Sequence, residues 1–176
     1  MKKNVLVFGL IAGTIVSVVM LGSMAILGTE QMMEGGMLLG YASMLVAFSF
    51  VFVGIRNFRN HNNQGFITFG KGLQIGLYIS LIASTIYVAS WLVDFYCFNP
   101  DFMEKYEAHM LKSAKAAGTS AAELAKQVAE MDKYKEMYKN PVFVVLLTYA
   151  EILPVGLFIS LLSALILKRK PETGNQ

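Results

Sequence analysis

Four long apolar stretches, none interrupted by lysine or arginine, constrain this chain more than any other feature of its sequence. They occupy residues 5–27, 37–55, 72–95 and 141–167. The hydrocarbon core of a bilayer is about 30 Å thick and a helix rises about 1.5 Å per residue, so each stretch is long enough to cross. Lipid offers no hydrogen bonds to an open strand edge, which leaves helices as the form they must take. Composition points the same way, because 55% hydrophobic and 15% charged residues, with a mean hydropathy of +0.52, lie off the balance of a water-soluble domain. The expected architecture is an all-α integral membrane four-helix bundle, with residues 1–176 forming one membrane domain.

The first stretch also has a loose signal-peptide grammar, with Lys2 and Lys3 ahead of an apolar run and a small-x-small site at Ser23-Met24-Ala25. The apolar core of a signal peptide is typically about 7 to 15 residues, shorter than this run, so a retained anchor is expected. Orientation follows from the short connections. Lys2 and Lys3 precede the first span, Arg56, Arg59 and Lys71 lie between the second and third, and Lys168, Arg169 and Lys170 follow the fourth. The first connection, residues 28–36, carries Glu30 and Glu34 but no basic residue. Cationic loops remain cytoplasmic, so both termini are expected inside an inner (plasma) membrane, with the first and third connections outside.

The third connection reads as an extracytoplasmic helical hairpin over residues 99–140. Asn99-Pro100 suits a helix start and Gly118 a helix end. Ser120 and Glu123 have the spacing of a capping box, and Asn140-Pro141 offers a cap and first residue for the fourth span. Leu124, Val128, Met131 and Tyr138 recur near helical spacing, so one face of the second hairpin helix requires cover. Trp91, Tyr96, Tyr134 and Tyr138 suit an aromatic belt at the interface.

Several chemistries find no support. The net charge of +3 is mild and the basic residues cluster at span ends, so nucleic acid is not an expected partner. Lone Cys97 excludes an intrachain disulfide, and His61 and His109 lack metal-ligand spacing. No phosphate loop or hydrolase triad motif occurs, so neither a cofactor nor enzymatic activity is expected. The basic and aromatic mixture over residues 56–71, with Phe58, Phe66 and Phe69, falls short of the roughly 4 to 8 cations of a dedicated lipid site and reads as a topology anchor.

The segments Gly54-Ile55-Arg56-Asn57-Phe58-Arg59, Gly65-Phe66-Ile67-Thr68-Phe69-Gly70-Lys71-Gly72, Met131-Asp132-Lys133-Tyr134-Lys135-Glu136-Met137-Tyr138-Lys139-Asn140-Pro141 and Thr148-Tyr149-Ala150-Glu151-Ile152-Leu153-Pro154-Val155-Gly156 resemble a bacterial membrane family, domain of unknown function 4199. The resemblance covers nearly the whole chain. It implies a four-helix protein of the bacterial inner membrane and implies no activity or functional residue.

Two features are candidates for function. Small residues repeat every four positions at Gly9, Gly13 and Ser17, at Gly72, Gly76, Ser80 and Ser84, and at Gly156, Ser160 and Ala164. Such seams let helix backbones approach within the bundle or across a homo-oligomer or a contact with another membrane protein. The second is Glu151, about 15 Å from one end of its helix. An acid at that depth normally faces the bundle interior and finds a partner. Pro154 frees the carbonyl of Ala150 as an acceptor beside it, and Ser84 and Tyr87, with Ser23, Tyr41 and Ser43, are expected near its level. Asp94, near the end of its span, reads as a boundary residue at the interface. Two function classes follow: a non-enzymatic assembly or scaffold protein, which the pattern favours, and a small transporter or proton-coupled carrier using Glu151.

Overall fold

The computed structural model describes residues 1–170, and the side chains at 29–35 and 37 lie outside the described residues. Glu30 and Glu34 are therefore not placed. Helix α1 runs from Lys2 to Asn62 but breaks at Gly28, where φ is 74° and ψ 166°. Glycine takes this backbone conformation without the steric penalty of a side chain. The break reverses the chain, because Asn4 Nδ2 donates to Asn57 Oδ1 at 2.9 Å across the two arms. The arms Lys2–Gly28 and Leu38–Asn62 are the first two membrane-capable helices. A nine-residue loop was expected at 28–36; the structure makes the reversal at one residue and keeps the backbone helical after it.

Helix α2 (Phe69–Val93) is capped by Thr68, whose Oγ1 accepts from the Lys71 N–H, and continues as a π-helical turn, Asp94–Phe98. Helix α3 (Phe102–Ala116) and helix α4 (Ala121–Tyr138) are joined through Gly118 at φ 74°. Ser120 Oγ accepts from the Glu123 N–H to start α4. Helix α3 begins at Phe102 and not at Pro100, because Asn99 is used elsewhere. Helix α5 (Pro141–Leu167) starts with Asn140 Oδ1 accepting from the Val142 N–H and proline in the first turn.

The result is all-α among the described residues, with four helices long and apolar enough to span a membrane. Helix α2 packs against both α1 and α5 and forms the centre of the assembly. The axis is filled by Met44, Phe48, Val51 and Ile55 of α1, Ile75 and Ile79 of α2 and Ile152 of α5, each 2% exposed or less. The outward surface is apolar too, with Ile26, Leu146, Phe158 and Ile166 all more than half exposed. A belt of this kind is incompatible with water and natural in lipid.

The end that carries Lys2 and Lys168 is closed by a non-local latch. Ile67 and Arg169 exchange backbone hydrogen bonds at 3.0 and 2.8 Å. Arg59 Nη1 donates to the Leu167 carbonyl at 3.3 Å, supplying a cation to the carbonyl end of α5. Arg169 lies over the Phe66 ring at 5.9 Å. Phe58, part of the basic and aromatic mixture read as a topology anchor, is in the core at 7% exposure.

Candidate functional site

The small-residue positions of α2 and α5 meet in one seam. A Cβ added at Gly76 would lie 2.9 Å from Ser160 Cβ, and one at Gly156 would lie 2.8 Å from Ser80 Cβ and 3.0 Å from the Phe48 ring. Gly72 faces Ala164 at a looser 3.3 Å. Ser160 Oγ donates to its own helix at the Gly156 carbonyl, 2.7 Å away. Each hydroxyl has one proton, so Ser80 is left to donate across the seam, to Ser160 Oγ at 3.1 Å or to the same carbonyl at 3.2 Å. Backbone proximity and a buried polar clasp thus come from the same four residues.

Gly9 and Gly13 lie on a different contact, against Ile82 and against Ile86 and Ala83 of α2. Ser17 and Ser84 are buried, and their hydroxyls have no hydrogen-bond partner among the described residues. Gly54 performs a similar service unforeseen from the sequence, since a Cβ there would meet Ile79 at 2.6 Å and Phe8 at 3.1 Å. The signal was its place after a bulky apolar stretch, Met44 to Val53, that contains no other glycine.

Glu151 does not face the axis. It is exposed on the flank of α5, as are Ala150 and Pro154, while its neighbour Ile152 is completely buried. The cause is helical phase. Thr148, Ile152, Gly156, Ser160 and Ala164 form the buried stripe, and a residue one position off such a stripe is rotated by about 100° from it. On the opposite flank Tyr149 Oη is hydrogen-bonded to Thr85 Oγ1 at 2.8 Å. Tyr87 is half-buried on α2. Tyr138, at the end of α4, senses Glu151 as well: burial first, and the Glu151 charge second, push its phenol above the ordinary range.

Asp94 is the acid that the fold encloses. It stands at the end of its span, as expected of a boundary residue, but the fold covers it to 5% exposure. Asn99 Nδ2 donates to both carboxylate oxygens, at 3.1 and 3.0 Å, and the Asn99 N–H donates to the Asp94 carbonyl at 2.7 Å to close the π-turn. Around it stand the rings of Trp91, Phe95, Phe102 and Tyr138, with Phe143 against Tyr138. Rings from α2, α3, α4 and α5 thereby tie the hairpin helices to the bundle. Glu107 and Lys135 form an ion pair between α3 and α4. Met110, Leu111, Val128 and Met131 line the seam between those helices. No group of three metal-binding side chains gathers among the described residues.

The family model described as a protein of unknown function, DUF4199, matches residues 7–169. The chain belongs to this family. The match takes in all four apolar helices, the hairpin and the Ile67–Arg169 latch, so the DUF4199 unit and the bundle coincide. No curated protein and no solved structure matches.

Proposed function

We propose that this DUF4199 protein is a non-enzymatic component of a bacterial inner membrane that assembles laterally with other membrane protein, with both termini cytoplasmic. The observation that carries the reading is the exposure of Glu151 on the outer flank of α5, well inside the hydrocarbon. A charged acid at the centre of a spanning helix costs about 2.5 to 3.5 kcal/mol, and interior burial or a partner offsets that cost. The bundle covers it only in part. A helix of a second copy or of another membrane protein supplies what the monomer leaves open.

Two further observations support assembly over transport. A carrier requires a wet path to Glu151, whereas the axis beside it holds Phe48, Ile79 and Ile152 in close contact. The α2–α5 seam and Gly9, Gly13 and Gly54 of α1 are occupied within the chain, so Glu151 on the flank of α5 is the acid left facing outward from the spans among the described residues.

A photo-crosslinking residue at Phe158, two helical turns from Glu151 on the same flank, tests the proposal in intact cells. Discrete protein adducts at Phe158, with lipid adducts alone at Leu146 on another face, are the expected result. Lipid adducts alone at both positions would contradict lateral assembly.

A further inference from the structure

Eight of the 15 Lys and Arg residues lie in three separate segments of the sequence, and the fold gathers these eight at one end. Lys2 and Lys3 start α1, Arg56 and Arg59 end it, Lys71 stands in the first turn of α2, and Lys168, Arg169 and Lys170 follow α5. The Asn4–Asn57 bond, the Ile67–Arg169 bridge and the Arg59 bond to Leu167 hold these segments together. No acidic residue lies at this end among the described residues; Glu172 is outside them. The eight cations reach the number that marks recognition of anionic lipid, which the connection over 56–71 alone does not.

On the flank of α2 at this same end is a shallow, open depression of about 240 Å³ lined along one face of the helix by Gly70, Leu73, Gln74, Leu77 and Tyr78. Lys71 Nζ donates to Gln74 Oε1 at 3.1 Å, which holds the ammonium at the mouth of the depression. Leu77 and Tyr78 are exposed along it toward the bilayer interior. A Cβ on Gly70 would meet nothing within 4 Å, so the mouth is open. A cation at headgroup level above an apolar trough matches the two halves of a phospholipid.

We propose that this depression is a binding site for an anionic glycerophospholipid, with the phosphate at Lys71 and an acyl chain along Leu73 and Leu77. The other seven cations raise the local concentration of anionic lipid, and Lys71 with the trough fixes one molecule. Arg59 and Arg169 are committed to the latch, so the site depends on the fold being closed at this end.

Native mass spectrometry of the full chain in detergent, titrated with phosphatidylglycerol or with phosphatidylcholine of identical chains, tests the assignment. Phosphatidylglycerol should be retained in preference. Lys71→Gln should lower that retention about fivefold, the effect of one cation near a charged surface, and leave phosphatidylcholine unchanged. Gly70→Leu should remove the bound phosphatidylglycerol while the melting temperature holds or rises, since the added side chain enters open space and replaces a helical glycine. Equal retention of the two lipids would overturn the proposal. So would retention of phosphatidylglycerol unaffected by both substitutions, which would mean a diffuse field without a site. Displacement of the lipid by an equal concentration of glycerol phosphate would show a phosphate site and no lipid groove.

Discussion

Gly76 and Ser160 stand so close across the α2–α5 seam that a Cβ on the glycine would lie 2.9 Å from that of the serine and 3.2 Å from its Cα. The obstacle is backbone and Cβ, which no rotamer change can move. Gly76→Leu should therefore force α2 and α5 apart, at a cost of at least the 1 to 3 kcal/mol typical of overpacking. Leu77 is 38% exposed, and lipid tails replace its lost contacts, so Leu77→Ala should cost well under 1 kcal/mol. Thermal unfolding of the two variants in detergent checks the contrast. Equal melting temperatures would place Gly76 outside any tight contact.

Asp94 and Asn99 form a hydrogen-bonded pair at the C-terminal end of α2. Asn99→Ala leaves a buried carboxylate without its two side-chain donors, an omission worth about 1 to 3 kcal/mol or more for a charged group. Asp94→Asn in that background removes the charge and should recover part of the loss. The four variants of this cycle, measured by chemical unfolding, should be non-additive; additive effects would show that the two side chains act independently.

Cys97 is exposed on the π-turn, at the end of the bundle opposite Lys2 and Lys168. With the basic end inside, a membrane-impermeant maleimide should label Cys97 in intact spheroplasts, and a C-terminal reporter should be active only in the cytoplasm. Labelling that requires membrane rupture would reverse the orientation.

Much of the bundle was legible because spanning helices announce themselves in about 20 consecutive apolar residues. The seam was legible for a similar reason, as small residues at a spacing of four share one helix face. What was misjudged about Glu151 was an angle. Its depth was argued from distance along α5, while the stripe Thr148, Ile152, Gly156, Ser160 and Ala164 already set the phase that turns position 151 outward. A reversal within residues 28–36 was legible, but its confinement to Gly28 was not, because a single positive φ leaves no periodic trace. The latch joins Ile67 to Arg169 across most of the chain, and Asp94 meets Asn99 only after a π-turn inserts a residue into the helical count. The first contact arises from closure of the fold and the second from a helical irregularity, and neither follows the regular helical period.

Exposure of Glu151 reverses one expectation for stability. An inward acid pinning two helices would make Glu151→Leu destabilising, whereas an acid on the outer flank gives the isolated chain nothing to lose. In dilute detergent the Glu151→Leu and Glu151→Gln variants should melt within about 1 kcal/mol of the parent, the range of a surface substitution without special partners. A large fall in the melting temperature for Leu alone would mean that the carboxyl is holding the bundle together.

The most direct test of lateral assembly is the yield of the protein adduct at Phe158 in cells that carry Glu151→Leu. If the carboxyl draws in a neighbouring helix, the yield should fall several-fold while expression and bundle stability are maintained. Glu151→Gln, which keeps shape and hydrogen bonding, should retain most of it. An adduct yield unchanged by Glu151→Leu would contradict the account, because the neighbour would then be held by contacts that do not involve Glu151.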